Sequence, residues 1–269
     1  MKKKGFSFAA MTVIAMLVFG VFMAIPAFGQ AAYPADTALY PAVYGAFLEL
    51  YPNARYINID FYNDTYTLTG ISGRALLVPI SYDITVRLNN GRLEFAYDNI
   101  HQRNSNGRWE RIRAFGMYNY NNAVNAIRNK ILEIGNNSAL FERHQRAAMA
   151  DIFFVNSIMK DMTELAFRDF IDNHAKGSVF NITGRISEVT ENNREVEGVA
   201  YRYRIRITLN TTDPSDAFLA VMPNISCSFF TNQDNVIRLS RNADFSVQGT
   251  LIGATRSGNT FSLTLVDTR

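Results

Sequence analysis

Residues 201–209 read YRYRIRITL. Tyr201, Tyr203, Ile205, Ile207 and Leu209 alternate with Arg202, Arg204, Arg206 and Thr208. A period of two places one set of side chains in a core and the other in water, which a helix cannot do with this pattern. The stretch is therefore a half-buried strand, and three arginines stand in a row on its wet face. That row is either a surface for an anionic ligand or a solvated face whose charges pair across strands.

The surrounding sequence repeats the alternation. VFNITGRISEVT turns Phe180, Ile182 and Ile186 inward, and Gly184 in mid-strand permits a bulge or a sharp coil. FLAVMPNISCSFF is a third strand, with Ile225, Cys227 and Phe229 on one face. QDNVIRLSRNA is a short helix or turn. DFSVQGTLIG and TFSLTLVDT are the last two strands, joined at Ser257-Gly258-Asn259. Five coiled strands with a short element between the third and fourth follow the order of an OB barrel. From Val179 onward nine arginines face nine carboxylates, so this part has no net charge.

The N-terminal half has a different rhythm. Pro41 suits the first turn of a helix over about Ala42 to Leu50. RYINIDFYNDTYTLTG is a hairpin turning at Asn63-Asp64. ISYDITVRLNNGRLEFAYDNI is a second, with Asn90-Gly91 at its turn and Leu93, Phe95 and Tyr97 inward. QRNSNGRWE is a polar loop, and a strand over Glu110–Phe115 is expected. NNAVNAIRNKILEIGNN is a helix ended by Gly135. Between the halves, SALFERHQRAAMADIFFVNSIMKDMTELAFRDFIDNHAKGS keeps helical spacing. The expected architecture is an α+β N-terminal domain (helix, antiparallel sheet, helix) over 33–135, a helical connector over 138–176, and a C-terminal all-β five-stranded OB barrel over 177–269.

Residues 1–29 read as a secretory signal. Lys2, Lys3 and Lys4 precede an apolar run from Met11 to Ile25, and Ala27-Phe28-Gly29 supplies small residues for cleavage. The run is short for a membrane span of about 20 residues. The only cysteine is Cys227, which excludes an N-terminal lipid anchor, an internal disulfide and a multi-cysteine zinc site. Removing the three lysines from the 27 basic residues leaves 24 against 24 acidic ones. A neutral mature chain has no bulk electrostatic footprint for nucleic acid or an anionic bilayer.

FNITGRISEV, ISCSFF, VIRLSRNADFSVQGTLIG and FSLTLVD together resemble the tRNA-anticodon-like OB domain found in many exported bacterial proteins. The resemblance covers Val179 to Arg269, and FRDFIDNHAKGS fits the helix that leads into such domains. The chain departs from the family pattern at Asp267-Thr268, where a second cysteine is common, and in the long insert TLNTTDPSDAFLAVMPN. The resemblance implies a fold and no particular ligand. ISYDITVRLNNGRLEFAYDNI more weakly resembles a secreted bacterial domain of unknown function with a TBP-like fold.

Catalytic constellations are not legible. His101 falls in the polar loop, and His144 and His174 in the helical segment, where surface or capping roles are expected. Glu195/Glu197 and Asp213/Asp216 sit in turn compositions. Cys227 reads as a buried apolar cysteine, and Trp109 among arginines as an aromatic packed on its own domain. One arrangement has a binding geometry. OB barrels bind on the outer face of strands two and three, which would carry Arg202, Arg204 and Arg206, with Arg185 from strand one and Phe230 as an outward aromatic. The expectation is a non-enzymatic, cofactor-free binding module of the bacterial envelope. It would be periplasmic or extracellular, not a lipoprotein, and without a membrane span after cleavage. Its partner would be a protein, a peptide or an envelope glycan, with nucleic acid disfavoured. A structural subunit of an envelope assembly, or an anion or oligonucleotide binder using the arginines, are the alternatives.

Overall fold

The computed structural model describes residues 32–34, 37–75, 78–111, 117–192, 195–209, 224–258 and 260–268. Residues 1–29, read above as a secretory signal, the carboxylates Asp213 and Asp216, and the stretch 112–116 lie outside the described residues. The chain is a mix of helices and sheets, divided into two compact units between Phe141 and Glu142.

The first unit runs α1 (Tyr40–Leu50), β1 (Arg55–Asp60), β2 (Thr65–Ala75), β3 (Val78–Asn89), β4 (Arg92–Arg103), β5 (Trp109–Arg111) and α2 (Met117–Gly135). The strands form one antiparallel sheet in sequence order. Asn90 and Gly91 both have positive φ (49° and 74°), which a two-residue type I′ turn requires. The two helices pack on each other and on β2. Val43 and Phe47 of α1, Val124, Ile127 and Ile131 of α2, and Tyr66, Leu68, Ile84 and Val86 of the sheet are all buried. Each such side chain contributes roughly 1.5–3 kcal/mol. Lys130 of α2 reaches Glu49 of α1 at 3.1 Å. Tyr33 lies so close to the end of α2 that a Cβ on Gly135 would sit 2.6 Å from its ring, so only glycine fits there. Asp64 accepts hydrogen bonds from the Tyr66 hydroxyl and from the Leu39 backbone at the start of α1, and burial raises its pKa.

The opposite face of this sheet is polar. Thr67 and Thr85 share a hydroxyl hydrogen bond of 2.9 Å across β2 and β3, and Arg87 pairs with Glu94 across β3 and β4. Asp83 on β3 also belongs to this face, yet is only 6% exposed. It lies between two bulges. On β2, Thr69 and Gly70 together stand opposite it; on β4, Asn99 and Ile100 form the extra step, with Asn99 at φ 49°. The Thr69 hydroxyl and the Gly70 amide donate to one carboxylate oxygen, and Asn99 Nδ2 donates to the other at 2.7 Å. One buried carboxylate thus holds both bulges.

The second unit begins within α3 (Ser138–Ala150) and continues through α4 (Ile152–Met159), α5 (Glu164–Phe170) and a π-helical turn, Ile171–Ala175. The sequence pattern gives one helical connector here, but the chain restarts twice. The Asp151 side chain accepts from the amides of Phe153 and Phe154, and Thr163 from that of Ala166, so each caps a new helix. From Glu142 on, these helices group with the strands that follow. Phe167 of α5 stacks on Phe261 at 5.6 Å.

Those strands are β6 (Val179–Glu191), a small hairpin of β7 (Glu195–Val196) and β8 (Val199–Ala200), β9 (Tyr203–Leu209), β10 (Asn224–Thr231), β11 (Asp244–Ser257) and β12 (Thr260–Asp267). A 3₁₀ turn, Asp234–Arg238, lies between β10 and β11. Five strands close into a barrel in the order β10-β12-β11-β6-β9, with β10 returning to β9. All pairs are antiparallel except β10 with β12. β6 serves two neighbours: Val179–Arg185 pair with β11, and Gly184–Glu191 pair with β9. Gly184 marks the handover. A Cβ there would run into the Thr208 carbonyl oxygen and the Ile207 side chain, so the close coil needs glycine. Tyr203, Ile205, Ile207 and Leu209 are buried, as their alternation predicts.

Candidate functional site

The outer face of β9 carries the arginine row. Each member meets an acid from a neighbouring element. Arg202 Nη1 lies 2.8 Å from Asp234 of the 3₁₀ turn, and Arg185 Nε 3.7 Å from Asp244 of β11. Arg204 and Arg206 share one carboxylate oxygen of Glu188, at 3.4 and 3.5 Å. Glu188 stands between them because β6 shifts register between Ile186 and Glu188, and Ser187 Oγ donates to the Arg206 carbonyl at 3.1 Å. Most of these groups are well exposed, so each pair is worth about 0–1 kcal/mol. Their consequence is electrostatic: the row's four positive charges lie beside three carboxylates.

Phe230 is not the outward platform that the alternation on β10 suggests. It is buried, with its ring centroid 6.4 Å from that of Tyr201. The cause is Asn232, which accepts from the Arg202 amide at 2.7 Å and donates to the Ala200 carbonyl at 3.2 Å. This clamp lays the stretch before β9 over the end of β10. Tyr201 accordingly precedes β9 instead of belonging to its ladder.

Beside the row, the second half of β6, Arg206 and the segment 237–241 enclose a groove of about 730 Å³. Glu188 and Glu191 line it with Arg206 and Arg241, and Ile237 stands on its rim at 62% exposure. Ile237 was not singled out in the sequence. The signal was VIRL in the short element: a 3₁₀ turn that buries Val236 cannot also bury the next residue. A second recess of about 400 Å³, under the 3₁₀ turn, is lined by Phe229, Val236, Phe245 and Val247.

The reactive residue types are placed as follows. Cys227 is buried on β10, and burial pushes its thiol up to about 12, far from a nucleophile's range. His101 is part of β4, not of a loop, and its Nδ1 lies 2.7 Å from the Asn99 carbonyl oxygen. His144 is buried on α3, against the expectation of a surface position. His174 stacks on Phe170 in the π-helical turn. Glu197 pairs with Lys176 at 2.6 Å. Among the described residues no three His, Cys, Asp or Glu side chains converge as a metal site, and no helix is long and apolar enough to cross a membrane. Trp109, expected to pack on its own domain, is 50% exposed. No protein-family model and no curated protein matches the chain.

Proposed function

We propose that the chain is an exported, non-enzymatic binding module of the bacterial envelope, and that its second unit is an OB fold which takes a peptide segment of a partner protein. Support for the fold is the strand order: first with second and fourth, third parallel to fifth, and a helical turn between third and fourth. Export is supported by the basic and apolar N-terminal pattern. The absence of an activated nucleophile among the described cysteine and histidines favours binding over catalysis.

The observation that carries the peptide assignment is the groove beside β9. It offers two carboxylates, two guanidiniums and an exposed aliphatic side chain within one concavity. A polypeptide supplies both charge signs and an apolar anchor; a single-stranded nucleic acid needs a uniformly positive track and exposed aromatic platforms. A photo-crosslinking residue in place of Ile237 tests this in intact cells. A discrete adduct whose tryptic digest contains peptides of a second protein, and which disappears when Glu188→Arg and Arg206→Glu are both introduced, is expected. An adduct whose digest yields peptides of this chain alone, or none in any growth condition, sinks the proposal.

A further inference from the structure

The strongest unassigned surface lies on the first unit, on the sheet face away from the helices. Tyr97 pairs with Ile84 and looks into the core side, so by simple alternation His101 and Arg103 would do the same. The Asn99 bulge shifts the strand by one residue and turns both to the open face. Direct cross-strand pairing then puts Arg111 beside His101 and Trp109 beside Arg103. Gln102 and Glu110 take the opposite side. The result is a flat patch of His101, Arg103, Trp109 and Arg111, with every β5 residue exposed.

The patch is cationic in a chain whose charges after residue 29 sum to zero. From Asp98 to Arg111 the sequence holds three arginines, at 103, 108 and 111, against two acids, Asp98 and Glu110, and Glu110 takes the opposite side of the strand. Arg103 is aligned along the hairpin by its Nε donating to the Gly107 carbonyl at 3.0 Å. Arg111 contacts Asp98 at 3.3 Å, but both side chains are well exposed, at 65% and 76%, so an incoming carboxylate can exchange for Asp98.

We infer that this patch binds an acidic polysaccharide, one whose sugars carry carboxylates. The indole offers a flat apolar face to the C–H side of a sugar ring, and the guanidiniums on either side match carboxylate geometry with paired donors. A nucleic acid strand fits less well, because it needs successive aromatic platforms and the patch has one. The patch is built from residues of the first unit alone, and its test stands or falls independently of the peptide proposal.

Trp109 is the only tryptophan in the chain, so its fluorescence reports this site alone. The purified mature chain is titrated with oligogalacturonate, with a neutral malto-oligosaccharide, with poly-L-glutamate and with oligo(dT). A saturable emission change with oligogalacturonate is expected, weakened at least tenfold by Arg103→Ala with Arg111→Ala and reduced by added salt. Calorimetry with Trp109→Ala should show the binding lost while circular dichroism is unchanged, since these side chains are exposed. No emission change with oligogalacturonate overturns the inference. So does an equal response to the neutral sugar, which would make the indole a charge-blind platform, or an equal response to poly-L-glutamate or oligo(dT), which would make the patch a general anion surface.

Discussion

The face around β9 and the β4–β5 end both present arginines to water, and they differ in what stands next to them. On β9 the arginines meet Glu188, Asp234 and Asp244, while the nearby aromatic, Phe230, is buried under Tyr201. At the β4–β5 end, Arg103 and Arg111 lie beside an exposed indole, and Asp98 meets Arg111 at 3.3 Å. Residue type and alternation look alike in both. Cross-strand partners decide the outcome, and those partners come from elements far away in sequence. A row of arginines is therefore a surface or a set of ion pairs according to topology.

The contrast can be broken at its supports. The largest effect is expected from Gly184→Val. A branched side chain pressed against the Thr208 carbonyl would disrupt the coil of β6 that brings Glu188 under Arg204 and Arg206, with a loss above about 3 kcal/mol in chemical denaturation. In the first unit the matching change is Asp83→Ala. It strips the Thr69 hydroxyl, the Gly70 amide and Asn99 of a buried acceptor, for a loss of roughly 3 kcal/mol. If the bulge turns the patch outward, Trp109 emission should change along with stability. An unaltered spectrum would show that the arm keeps its orientation without the carboxylate.

Glu188→Gln sharpens the comparison without unfolding anything. Stability should move by under about 1 kcal/mol, while retention on a cation-exchange matrix rises as Arg204 and Arg206 lose their shared acid. Unchanged retention would mean that Glu188 does not neutralise the row. The smallest effect concerns Asp64. Burial raises its folded pKa above the unfolded value near 3.8, so the folded state holds the proton more tightly. Stability from this group is full below that unfolded value and is lost as pH rises through the folded one. Asp64→Asn should flatten the pH dependence in that window, as thermal unfolding between acid and neutral pH would reveal.

Local pattern carried much of the fold. The Asn90-Gly91 turn, the inward set of β9 and the glycine that coils β6 are all legible, because each depends on neighbours one or two residues away. The mixed α/β character follows from the same periodicities. What was not legible depends on side chains reaching across the fold. Tyr201 covers Phe230 from the stretch before β9, which Asn232 clamps down, Asp83 reverses the facing of His101 and Arg103 through a bulge, and Asp151 and Thr163 divide what reads as a single helix. The groove around Ile237 requires β6 and the 3₁₀ turn to meet, which no window of sequence can display.

The parallel pairing of β10 with β12 has a consequence for the order of assembly. β12 is the last described strand, and about 30 residues separate it from β10. Until it arrives, β10 has β9 on one side and an open edge on the other, presenting Ile225, Cys227 and Phe229. Such an edge invites pairing with another chain. A molecule threaded through a membrane from its N-terminus would display that edge for the whole interval before β12 emerges. The barrel is a ring with a late clasp, and its window of vulnerability is set by the time its final strand takes to appear.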